Sequence, residues 1–549
     1  MRSHIGDGNE YWNDHIDLSR IGTDRCYSSL AAQPRLGIWA ERRHRPHLVG
    51  ADYSAGDGAY LTIAARGMDR RSVLSAGLLS LALCSAGCSV EHAARDENSS
   101  YGTTPSLPTA SRALIPTVNI APAIGWPAGL GPRAAVGLQS NAFVRDLQHP
   151  RWLYVLPNGD VLVAETNAPP KADGPRSIKA WMMGIFMKRA GAAVPSANRI
   201  TLLRDTTGSG RADARFVLLQ GLNSPFGMAL VGDTLYVAHT DAIVGYRYQR
   251  GATQIDAVGV KLIDLPAGTI NHHWTKNIIA SDDGKSLFVT VGSNSDVAER
   301  GMAVENGRAA IWQVDIATGT HRIFASGLRN ANGMAWEPRT RALWTVVNER
   351  DELGNDLVPD YLTSVRDGAF YGWPYSYYGQ HVDTRVQPQD AAAVARAIAP
   401  DYALGAHTAP LGLAASFGTS LPSRFAGGMF VGQHGSWNRR PHSGYKVIFI
   451  AFVDGRPSGP PQDVLTGFLS EDQKAYGRPV GVALDKRGAL LVADDVGNVI
   501  WRVSATTGTT ASNGIGAIGA NSDTAVTGAT SAAHTGVAAA AAMSKGARQ

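Results

Sequence analysis

Trp152-Leu-Tyr-Val-Leu-Pro-Asn-Gly-Asp-Val-Leu-Val-Ala164 is two apolar runs joined by a Pro-Asn-Gly-Asp turn. Branched and aromatic residues favour extended backbone, and the glycine turn folds one run back on the other, so the stretch reads as a β-hairpin. The pattern returns as Gly227–Ala238, Ile278–Thr290, Gly333–Val347 and Gly481–Ala493, with a looser copy from Ala414 to Gly432. Six copies between residues 113 and 504 imply units of roughly 50–80 residues, longer than a bare four-stranded blade. The extra length falls in loops, notably 167–200 and 349–411. Repeated meanders close into a ring, which leaves few exposed strand edges. The expected fold is all-β: a six-bladed β-propeller with long inter-strand loops. Asn498-Val-Ile-Trp-Arg-Val503 is the candidate strand that closes the ring, and helical signal is confined to 178–190 and 389–398. A pair of β-sandwiches would lack this regular self-similarity.

The charge balance is mild, with Lys+Arg 51 against Asp+Glu 46 in 549 residues. The basic residues are spread along the chain and accompany no recognition motif, so nucleic acid is not an expected partner. The three cysteines, Cys26, Cys84 and Cys88, all precede the repeats. A disulfide framework and a thiolate metal site are thereby excluded from the body.

The ends read differently from the body. Met68-Asp-Arg-Arg71 precedes an apolar run and then Ser85-Ala86-Gly87-Cys88, the order of a secretory signal. The expected domains are an upstream extension (1–67), a signal peptide (68–88), a polar linker (89–112), the propeller (113–504) and a disordered low-complexity tail (505–549). Cys88 ends a lipobox-like sequence, so a lipid anchor is one expectation beside plain secretion. The expected location is periplasmic or secreted, or anchored to a bacterial cell envelope. No later apolar stretch is long enough to cross a bilayer.

In a propeller, loops at one end of the strands surround the central channel, so residues far apart in sequence meet there. His272 and His273 precede a strand, and imidazole is suited to accept a proton near neutral pH. Arg329 and Asn330 precede Gly333, and Arg478 holds the matching place in the last repeat. Arginine forks onto carboxylates bidentately. Glu349, Asp351, Glu352, Asp356 and Asp360 crowd one loop, where oxygen ligands would suit calcium and a plain solvated acidic loop is the alternative. Asn438, Arg439 and Lys446 lie in a polar loop of the fifth unit.

These stretches in this order resemble the soluble-type pyrroloquinoline-quinone (PQQ) dependent sugar dehydrogenases, most closely their sorbosone dehydrogenase-like branch. The resemblance runs from Trp152 to Val503. It rests on His273-Trp-Thr-Lys-Asn277, Gly327-Leu-Arg-Asn-Ala-Asn-Gly333, Asn348-Glu-Arg-Asp-Glu-Leu-Gly-Asn-Asp356, Tyr371-Gly-Trp-Pro374, Gln433-His-Gly-Ser-Trp-Asn-Arg439 and Gly477-Arg-Pro-Val-Gly481. It implies PQQ over the channel and a bound calcium. The base would be His272 by distance to the following strand, or His273 by the His-Trp-Thr run. Arg329 would act beside the base, and Lys276, Arg329, Asn330, Thr408, Asn438, Arg439, Lys446 and Arg478 would hold the cofactor. Asp351, Glu352 and Asp356 would lie at the metal. Two departures stand out. Lys276 occupies a position where the sorbosone branch often has arginine, and only one arginine stands near Gly477 where a cationic cluster is usual.

The expected activity is oxidation of an aldose, a sorbosone-like sugar or a related alcohol or aldehyde hydrate. An external electron acceptor would receive the electrons, since no haem-attachment motif is present. The rival readings are a calcium-dependent, lactonase-like propeller hydrolase and a non-enzymatic sugar-binding propeller.

Overall fold

The computed structural model describes residues 97–111, 118–170 and 178–506. The upstream extension, the signal-like stretch and residues 507–549 of the tail lie outside the described residues. Each hairpin read from the sequence is the inner half of an antiparallel sheet. Six sheets form six blades, with inner strands Pro150–Val155, Met228–Val231, Ile278–Ala280, Asn330–Trp336, Pro410–Ala415 and Pro479–Leu484.

The ring closes in the sixth blade. Its fourth strand is Leu138–Val144, from the start of the body, paired antiparallel with Val499–Ala505 from its end. The strand expected to close the ring is thus one half of the closure. Joining the two ends of the body in one sheet leaves no free edge at the seam.

Six separate cores lie between neighbouring blades, and no single core fills the centre. Trp152, Leu162, Phe226 and Val237 pack blade 1 on blade 2, and Trp344, Val346, Leu413 and Met429 pack blade 4 on blade 5. Because both faces of a blade are covered, inner strands read as nearly continuous apolar runs and not as strict alternation. Val161–Glu165 is buried at every position.

The recurring glycine of the repeat has a steric cause. A Cβ on Gly412 would stand 2.2 Å from the Val480 carbonyl oxygen, and one on Gly481 would stand 2.8 Å from that of Arg151. Backbone meets backbone there, so the inner strands of successive blades approach closely only with hydrogen in that place. The same contacts align the starts of the inner strands at one end of the channel.

The long loop 349–411 is largely blade. It supplies Pro359–Ser364 and Tyr402–Ala406 as the third and fourth strands of blade 4. The insertion between them holds a small hairpin (Ser376–Tyr377 with His381–Val382). Loop 167–200 carries helix α1 (Ile178–Arg189). Helix α2 (Ala391–Arg396) follows the small hairpin and is capped by Asp390, whose carboxylate accepts from the Ala393 amide. Within the stretch read as linker, Tyr101–Gly102 adds a fifth strand to blade 4 against Tyr402–Ala406, and the Ser111 amide donates to the Leu353 carbonyl.

Candidate active site

Two positions of every blade reach the same mouth: the residues before the inner strand and those after the second strand. This register brings His273, Ser293, Arg329, Asn348, Thr408, His434, Arg478 and Asp495 to one end of the ring.

His273 and His272 separate clearly. His273 is partly covered, and His272 is exposed. Nδ1 of His273 lies 2.8 Å from the Ser293 carbonyl oxygen. A carbonyl only accepts, so the proton sits on Nδ1 and Nε2 carries the lone pair. Burial lowers the His273 pKa well below its ordinary value, and the neighbouring charges of His272 and Arg329 add to this. The ring is therefore a neutral imidazole with its basic nitrogen set by a fixed hydrogen bond. Asn330 stands next to it: a Cβ on Gly292 would lie 2.5 Å from Asn330 Oδ1 and 2.6 Å from the His273 Cβ. Asn330 Oδ1 is buried without a hydrogen-bond partner.

Arg329 is tied to its own chain. Four of its five N–H groups donate: Nε to Asp296 O, Nη1 to Asn348 O and Glu349 O, and Nη2 to Asp296 Oδ1 at 2.8 Å. Asp296 Oδ1 also accepts from the Asp351 amide. Burial raises the Asp296 pKa to about 6 against the pull of Arg329. Arg329 thus braces the loops around His273 more than it offers an open fork.

The acidic loop resolves its crowding with protein cations. Asp351 Oδ1 accepts from Asn438 Nδ2 (2.6 Å) and faces His407 Nδ1 at 3.3 Å. Burial alone would raise the Asp351 pKa, but the His407 hydrogen bond and the charges of Arg329 and His407 bring it down to about 2. Asp356 pairs with Arg439 at 2.8 Å, and Glu352 is exposed. The carbonyls of Asp351, Leu353, Gly354 and Asn355 face Arg385, Ser111, His407 and Arg439. Among the described residues no three His, Cys, Asp or Glu side chains converge to hold a metal. Of the expected calcium ligands, Asp351 and Asp356 each spend a carboxylate oxygen on protein donors, while Glu352 is exposed. With those oxygens and the loop carbonyls engaged, the loop as folded holds no assembled calcium cage among the described residues.

Other expected cofactor contacts are also committed elsewhere. Lys276 is fully buried, and its Nζ donates to the carbonyls of His273 and Trp274, both at 3.3 Å. Burial, with Arg308 nearby, lowers its pKa to about 7. It supports the histidine turn from behind. Thr408 Oγ1 donates to Asp360. Lys446 pairs with Asp463 on the fourth strand of blade 5, two strands away from the channel wall.

A second group, of which only Arg478 was expected from the sequence, faces the mouth from blades 1, 5 and 6. Asp495 Oδ2 accepts from Arg151 Nη1 (2.9 Å) and lies 3.0 Å from His434 Nε2 and 3.6 Å from His149 Nε2. Arg478 joins it, and its charge, after burial and Asp495, acts on Arg151. Arg151 also lies 5.9 Å over the Trp274 ring, next to His273, which links this group to the first. Four buried polar atoms here have no hydrogen-bond partner: Arg151 Nε, Arg478 Nε, His149 Nε2 and Asp495 Oδ1. Buried polar groups are nearly always satisfied, so such a concentration points to a ligand. Two unpaired guanidinium N–H groups suit carboxylates, and the donor set therefore fits a tricarboxylic quinone such as PQQ. Arg151 supplies, from blade 1, the second cation missing beside Gly477. The available signal was positional: Asp495 follows the second strand of its repeat as Glu349 follows that of blade 4.

A family model described as TrAA12-like matches residues 190–361 and 375–506. An uncharacterized protein of Borreliella burgdorferi is 27% identical over 321 residues, 54% of this chain and 82% of that protein. The PQQ-dependent pyranose dehydrogenase of Coprinopsis cinerea is 24% identical over 298 residues, 43% of this chain. The matched region spans 40% of that enzyme's length. The iodide structure of the Trichoderma reesei family AA12 carbohydrate-active enzyme superposes with a TM-score of 0.56 at 20% identity, covering 71% of this chain and 99% of that one. Its calcium structure gives 0.55 at 19% identity over 72% and 100%. These superpositions bear out the six-bladed fold. With the model matching more than half of its residues, the chain belongs to the TrAA12-like family.

Proposed function

We propose that this protein is a PQQ-dependent dehydrogenase oxidising the carbinol or hydrated aldehyde of an aldose or sorbosone-like sugar. The observation that carries this reading is a neutral, pre-oriented imidazole at His273 on the same mouth as two arginines whose Nε–H groups lack a hydrogen-bond partner. The pyranose dehydrogenase relative supports the same chemistry.

The residues divide the work. His273 Nε2 accepts the substrate hydroxyl proton, and the Ser293 carbonyl stabilises the resulting imidazolium through Nδ1–H. When bound, PQQ supplies the two-electron oxidant that accepts the hydride. Arg151 and Arg478 hold its carboxylates by charge-assisted hydrogen bonds. Asp495 holds Arg151 and His434 in place. Asn330, beside His273, offers Oδ1 as an acceptor to a substrate hydroxyl. Arg329 and Lys276 keep the two loops rigid, so little reorganisation accompanies proton transfer. The signal-like stretch 68–88 supports a location outside the cytoplasm, with an external carrier taking the electrons.

The test is PQQ titration of the purified protein with a dye acceptor and a panel of aldoses that includes sorbosone. Turnover that requires PQQ is expected. Lactone hydrolysis abolished by chelator and indifferent to PQQ would establish the hydrolase instead. Sugar binding without turnover would establish a binding propeller.

A further inference from the structure

Three segments on the mouth face form a continuous apolar collar. The Asn119 amide donates to the Trp437 carbonyl, and the Ala123 amide to the carbonyl of Arg189 at the end of α1. The stretch 118–124 thus joins the blade 5 loop to the α1 loop. Along it Val118, Ile124, Ile185, Met187, Val194 and Trp437 are each between 37% and 51% exposed. Large apolar side chains scattered singly are ordinary, but six on three touching segments make a patch that marks an interaction.

Charge says what kind of surface it meets. Residues 118–130, 178–198 and 434–445 contain Lys179, Lys188, Arg189, Arg439 and Arg440, and no Asp or Glu. Lys188, Arg189 and Arg440 are exposed. Ile185, Phe186 and Met187 are consecutive, so they fan around α1 and do not form a single core-facing stripe. Ile185 and Met187 are exposed and Phe186 is half-buried. At twelve residues, α1 is about 18 Å long, too short to cross a bilayer core of roughly 30 Å. A short helix whose described half, Gly184–Arg189, exposes Ile185 and Met187 and ends in two exposed cations suits the interface of a lipid layer, where its aliphatic side chains enter the acyl boundary and its cations meet headgroups.

We propose that the collar of 118–124, α1 and the Trp437 loop docks the protein on an anionic lipid surface, with the channel mouth turned toward it. Docking is independent of the redox reading and of any lipid on Cys88. The experiment is sedimentation of the full chain with vesicles of phosphatidylcholine, alone or mixed with phosphatidylglycerol. The wild type is expected to partition onto the mixed vesicles and to lose at least about tenfold of that partition on going from low to high salt. Ile185→Asp/Met187→Asp should reduce it at least tenfold with an unchanged near-UV spectrum. Lys188→Gln/Arg189→Gln should remove the preference for the mixed vesicles. Wild-type partition that survives Ile185→Asp/Met187→Asp would place the membrane contact in the apolar stretch 68–88 and overturn the proposal. So would a wild type that ignores both vesicles and binds only an acidic redox protein.

Discussion

Arg329 and Arg478 stand at matching places before the inner strands of blades 4 and 6, yet they are used in opposite ways. Arg329 spends four N–H groups on backbone carbonyls and Asp296. Arg478 donates from Nη2 to the Ala121 carbonyl, stacks 5.0 Å over Tyr445 and leaves Nε open. The arc of blades 3 and 4 is a closed brace around one histidine. The arc of blades 1, 5 and 6 is open in a narrower sense: the buried Nε–H groups of both its arginines have no hydrogen-bond partner, although blade 4 also leaves buried oxygens such as Glu349 Oε1 unpaired. A motif that marks a loop as special therefore does not say whether its cation touches the ligand or the loop itself.

The comparison is most easily broken at the histidine doublet. His273→Ala should lower kcat by about 10²–10⁴-fold, the usual worth of a positioned base, while His272→Ala changes it less than about threefold. The reverse order in steady-state kinetics would move the base to the exposed ring.

Next come the two arginines. Arg329→Met removes the guanidinium that Asp296, Asn348 O and Glu349 O share, leaving Asp296 Oδ1 only the Asp351 amide, and should lower unfolding free energy by about 3 kcal/mol in urea titration. Arg478→Met should leave the urea midpoint nearly unchanged and weaken PQQ uptake by about 10–100-fold, the worth of one charge-assisted hydrogen bond. Equal stability losses would mean that both arcs are braces.

A pH experiment sharpens the open arc. Burial lowers the His149 pKa from 6.5 to about 4. The folded state then binds fewer protons than the unfolded chain between those values. The stability this group contributes is complete above pH 6.5 and is lost as pH falls toward 4, by roughly 3 kcal/mol. Unfolding free energies at pH 7.5 and 4.5 should differ less in His149→Gln by about that amount. A pH slope unaltered by the substitution would place the titration elsewhere.

The smallest effect is expected at Lys276. Its amine is buried against carbonyls with no carboxylate partner, and apolar replacement of a buried charge is often neutral or stabilising. Lys276→Met should shift the urea midpoint little and leave PQQ affinity unchanged. A large drop in affinity would return Lys276 to the cofactor seat.

The ring was legible because its cause is local. A hairpin with a glycine at the inner-strand start must recur wherever one blade packs on the next, so Gly227, Gly333 and Gly481 announced the repeat. The place of His273 at the mouth was legible for the same reason, since its strand and its turn are neighbours in the chain. The split between His273 and His272 was not, because it depends on the Ser293 carbonyl, twenty residues on. The partners of the acidic loop were not legible either, because charge density in sequence ignores where cations arrive from. Arg439 and His407 reach the acidic loop from other strands.

Taken alone, the chain's order of residues determined the hairpins, their number and their closure, since backbone propensity and turn chemistry act over a few residues. Which cations stay open to a ligand was decided only when distant blades met. Arg151 and Asp495 are 344 residues apart and form one ion pair at 2.9 Å. Electrostatic and hydrogen-bond satisfaction depends on distance in space, and no spacing along the chain encodes it.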